Sequence, residues 1–161
     1  MATNSFARTG ANFKIWLFGM ALATLAFPLS AMAGLGGDAT SVLNDSVQLK
    51  GAMRITQAQA FAVHEIRVAS GTIVREFVSP ATGKVFGVAW EGPFIPDMRQ
   101  VLGSYFDQYQ QSAKLIRNGR RSLVIEEPGL VVQAGGHMRS YVGRAYVPEM
   151  VPAGVSAESI R

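Results

Sequence analysis

The sequence predicts an α+β domain: an antiparallel sheet of five to six strands covered by one long amphipathic helix, with a short N-terminal helix. Three observations carry this. Residues 54–91 are dense in β-branched and aromatic residues and are broken by tight-turn residues. Residues 97–117 repeat apolar positions at spacings of three and four. Residues 122–147 then return to short strand-like runs, so strands and helices are segregated instead of alternating as a parallel sheet requires.

The chain has 161 residues, and the first 33 read as a secretory signal peptide. Arg8 and Lys14 stand there without an acid, 13 uncharged residues follow from Ile15 to Phe27, and Ala31-Met32-Ala33 supplies the small residues of a cleavage site. A membrane span needs about 20 apolar residues, and this run is shorter, so export as a soluble periplasmic or secreted protein is expected, with no transmembrane anchor after cleavage. Residues 34–161 would remain as one domain, and losing two cations lowers the formal excess from +4 to +2. That charge is too small and scattered for a nucleic-acid footprint, so no nucleic-acid partner is expected. With no cysteine, disulfides, Cys-ligated metals, a thiol nucleophile and a lipidated N-terminal cysteine are excluded.

The elements follow in order. Residues 38–50 predict a short helix, with Asp38 or Ser41 as N-cap and Gly51 beyond its end. Residues 61–69 and 72–79 predict strands around a Ser70-Gly71 turn, and Pro80-Ala81-Thr82-Gly83 leads into a third over 84–91. Pairing Ala69 with Thr72 and Ser79 with Lys84 puts His64, Ile66, Val68, Ile73, Arg75, Phe77, Phe86, Val88 and Trp90 on a core face. Met98, Val101, Leu102, Tyr105, Phe106, Tyr109, Ala113 and Ile116 form the helix stripe that covers it. Arg117, Arg120 and Arg121 make a basic corner after that helix, where its dipole favours cations. Short strands are expected over 122–126 and 130–133, then a turn at Ala134-Gly135-Gly136 and a strand over 137–147. Pro148 and Pro152 predict an extended tail from about 148 that frays after Gly154.

Leu35-Gly36-Gly37-Asp38, Val63-His64-Glu65-Ile66, Val74-Arg75-Glu76-Phe77-Val78-Ser79-Pro80, Pro96-Asp97-Met98-Arg99-Gln100, Gly135-Gly136-His137-Met138-Arg139 and Gly143-Arg144-Ala145-Tyr146-Val147-Pro148 stand in that order. Together they resemble the exported bacterial family catalogued as domain of unknown function 2844. The resemblance covers essentially all of residues 34–161 and implies an exported Gram-negative protein, but it brings no catalytic residues with it.

His64-Glu65 lacks the second histidine of a zincin site, since position 68 is Val, and neighbours on a strand point to opposite faces. Arg75 in the middle of an apolar face must snorkel, meet Asp97 or Asp107 of the covering helix, or bind a ligand carboxylate. In Gly135-Gly136-His137-Met138-Arg139 the glycines let backbone amides approach an anion, with His137 and Arg139 as further donors; a hairpin turn is the plainer reading. Neither a nucleophile elbow nor a phosphate-binding glycine loop occurs, and no cofactor is expected. The expectation is a binding or accessory module of the bacterial envelope with an envelope or secreted protein partner. The alternative is a hydrolase using His137 or His64 with a carboxylate.

Overall fold

A computed structural model describes residues 34–40, 42, 47, 49, 51–116 and 122–161. The expected signal peptide over 1–33, most of the expected helix over 38–50, and the corner of Arg117, Arg120 and Arg121 lie outside the described residues. Seven strands form one antiparallel sheet: β1 (Gly51–Gln57), β2 (Ala62–Val68), β3 (Ile73–Val78), β4 (Val85–Gly92), β5 (Ser122–Glu127), β6 (Leu130–His137) and β7 (Ser140–Tyr146). Their order is β1-β2-β3-β4-β7-β6-β5, so the second meander lays its last strand beside β4. Between the meanders, α1 (Met98–Leu102), a 3-10 turn (Gly103–Tyr105) and α2 (Phe106–Leu115) run as one nearly continuous helix.

The sheet is larger than the five to six strands expected, and the added strand is β1. It is an edge strand whose residues are mostly exposed, so it carries no dense apolar run, although Met53 alternates inward. The β6–β7 turn also moves. Gly135 and Gly136 continue β6, and the hairpin turns instead at Met138-Arg139, with Arg139 at φ +65°. A Cβ on Gly136 would overlap the Ser140 carbonyl oxygen, so that glycine serves close strand approach.

The expected core face needs correction as well. The β2–β3 hairpin has a three-residue loop: Val68 N donates to Thr72 O, and Gly71 takes φ +90°. This slides β3 by one residue against β2, so His64 faces Glu76, Ile66 faces Val74, and Glu65 faces Arg75. At the β3–β4 hairpin Ser79 does pair Lys84, but a bulge next to Phe77 and Val78 sets Phe77 opposite Gly87. Arg75 and Phe77 therefore lie on the face opposite to Ile66, because a one-residue slip reverses every side chain.

The helix stripe buries the first face as its spacing requires. Val101 and Leu102 meet Ile66, Val74, Val88 and Trp90, with Leu130, Val132 and Ala145 from the second meander. Asp97 caps α1 by accepting a hydrogen bond from Arg99 N at 2.9 Å, so it is not a partner of Arg75. The second face has its own smaller core. Phe61, Phe77 and Phe86 place their ring centroids 5.7–6.3 Å apart, and Ile160, fully buried, closes over them. The tail therefore does not fray: 3-10 turns at Pro148–Met150 and Ala157–Ser159 fold it back across the sheet.

Candidate binding trough on the second face

Beyond that aromatic cluster the second face holds one row of residues across the strands. Register places Glu65 beside Arg75, then Ala89, Arg144, Gln133 and Val124. Ala89 in the row, and Gly135 one step along β6, are small, so the longer side chains around them enclose a trough of about 470 Å³. Val124 and Val142 give it apolar walls, Glu91 lies on its rim, and Ile160 with Arg161 borders it from the tail.

Two arginines flank Ala89, about 10 Å apart by the spacing of strands. Arg75 is saturated with carboxylates: Nε donates to Glu65 Oε2 at 3.1 Å and Nη2 to Glu91 Oε1 at 2.7 Å. Burial works against its charge, but the hydrogen bonds and charges of Glu91 and then Glu65 outweigh that and hold the guanidinium pKa above its ordinary value. Arg67 shares Glu65 at 3.3 Å from the exposed side. Arg144 is held differently. Nε and Nη2 both donate to Gln133 Oε1, at 3.0 and 2.8 Å, and Nη1 donates to Ala157 O at 2.8 Å. Both acceptors are neutral.

Arg75 and Gly135, two of the residues singled out from sequence, meet in this trough. Gly136 lies on the neighbouring strand position, while His137 and Arg139 are exposed at the hairpin end, with His137 Nδ1 3.2 Å from Met138 O. His64 is 8% exposed on the helix side, opposite Glu76 on β3 and Ile55 on β1. Its Nδ1 finds no hydrogen-bond partner, and burial lowers its pKa. Sequence reasoning missed Glu91, Gln133 and Arg144. Each is a polar alternate on a strand, and only the register brings the three to one place.

A family model described as a protein of unknown function (DUF2844) matches residues 31–160. The chain belongs to the DUF2844 family. The match spans every strand of the sheet, so the DUF2844 unit includes the trough and the folded-back tail. No curated protein and no solved structure matches the chain. Among the described residues of this DUF2844 member, no helix is long and apolar enough to cross a membrane.

Proposed function

We propose that this DUF2844 protein is an exported binding or accessory module of the bacterial envelope, and that the trough on the second face is where it binds. The observation that carries the reading is the trough itself: about 470 Å³ of mostly apolar wall with two arginines set across its floor. That volume falls in the range of small-molecule pockets, which pair apolar lining with a few placed polar groups. Export rests on residues 1–33, with their basic start, uncharged core and small residues before Gly34.

Binding without chemistry is favoured over a hydrolase by what lines the trough. Among the described residues its lining side chains include no histidine, serine, threonine or tyrosine, and Glu91, the one acidic side chain among them, is committed to Arg75. A hydrolytic site needs a nucleophile or an activated water beside a base, and His64 and His137 both lie away from the trough. Fractionation of cells producing the full chain, with N-terminal sequencing of the recovered protein, tests the export half. A product beginning at Gly34 outside the cytoplasm is expected; an uncleaved cytoplasmic protein overturns it. A screen of hydrolase substrates tests the other half, and turnover abolished by Glu91→Gln would replace binding with catalysis.

A further inference from the structure

We infer that the trough selects a small carboxylate with an apolar body, and that Arg144, not Arg75, receives the carboxylate. The inference rests on the trough being the binding site and deepens that reading to a ligand class. Arg75 already faces two carboxylates, so a third anion beside it would be repelled by Glu91. Arg144 has no carboxylate within ion-pair distance among the described residues, and its three hydrogen bonds go to neutral oxygens. A guanidinium has five N–H donors, so two remain for a ligand. The charges thus leave the Arg75 side of the trough answered and the Arg144 side positive.

Arg144 is also held ready. Gln133 and the Ala157 carbonyl fix its fork, so little side-chain freedom is lost when an anion docks. A planar guanidinium matches a carboxylate better than a compact ammonium would. The rest of the ligand then lies along Val142 and Val124, which are 57% and 53% exposed and give apolar contact on the way out of the trough. An aliphatic carboxylate satisfies both ends, whereas an amine meets Arg144 with like charge and an alcohol leaves it without a counter-ion.

The test is a titration of the isotope-labelled full chain with sodium octanoate, octan-1-ol and octylamine, followed by amide chemical shifts. Octanoate is expected to move the amides of Ala89, Gly135, Val142 and Arg144 in a saturable way, with about ten-fold or greater preference over the other two probes. Arg144→Gln should erase that preference. Because this change also touches the tail, a second pair keeps the test independent of folding: at exposed Val142, Val142→Asp should bind octanoate about ten-fold more weakly than its isostere Val142→Asn. Equal affinity for the three probes, or no difference between the two Val142 variants, overturns carboxylate selection while leaving the trough as the site. No shift at these four amides with any probe overturns the trough reading together with the inference.

Discussion

Arg75 and His64 show opposite ways of placing an ionisable group in a sheet. Arg75 is only 22% exposed, and its two carboxylates offset the cost of removing its charge from water. Replacing it with Met should lower stability by about 1 kcal/mol, a modest figure because Glu91 is half exposed and screened. Urea denaturation at low and at 1 M salt checks this: the deficit should shrink in salt, and an unchanged midpoint at low salt would show the triad to be idle. His64 is buried with its pKa lowered, so the folded state favours the neutral ring. The unfolded chain binds a proton near pH 6.5, and the folded chain binds it only at lower pH. His64 therefore contributes its full stability above about pH 6.5 and loses it as the pH falls from there through the lowered folded value. The urea midpoint should drop between pH 7.5 and 5.5 in the parent and drop less in His64→Asn; parallel curves would refute the linkage.

At the scale of elements, contacts across strands decide what alternation alone leaves open. Gly143 on β7 lies under the Trp90 ring, and a Cβ there would overlap the ring atoms. Trp90 is 2% exposed and has nowhere to move, so Gly143→Ala should cost about 1–3 kcal/mol by overpacking. A fall in melting temperature with a shift in Trp90 fluorescence is the expected signature; a neutral variant would mean the ring has room. The long helix was legible because its period is local: Val101, Leu102 and Phe106 mark the buried side without reference to anything else. Strands β2 to β4 were legible as strands for the same reason. Their faces were not, because a third loop residue before Thr72 and a bulge beside Phe77 each shift register by one. Neither leaves a signature that differs from an ordinary turn or strand. Edge strand β1 was illegible because a half-solvated edge needs no apolar run. The trough shared the fate of the faces: Arg75 stood out as a charge in an apolar run, but Gln133 and Arg144 gain meaning only once β6 and β7 are aligned.

For the whole molecule, one sheet separates two unequal cores. The helix covers the larger, and the returning tail covers part of the smaller through Ile160. Ile160→Ala should cost about 2–4 kcal/mol as a fully buried truncation. It should also raise binding of a hydrophobic dye at the uncovered Phe77 and Phe86, and a stable variant with no added dye binding would mean the tail is dispensable. The two cores also differ in when they can form. Hairpins β1–β4 join near neighbours in the chain, but Phe77 and Ile160 are 83 positions apart. A chain made or threaded from its N-terminus presents its three phenylalanines long before the isoleucine that shields them. Until then the aromatic side of the sheet stays open to water and to other chains, and contacts of such long range form slowly. This interval is when the nascent protein is most exposed to self-association, and it ends only when Ile160 docks above Gly87.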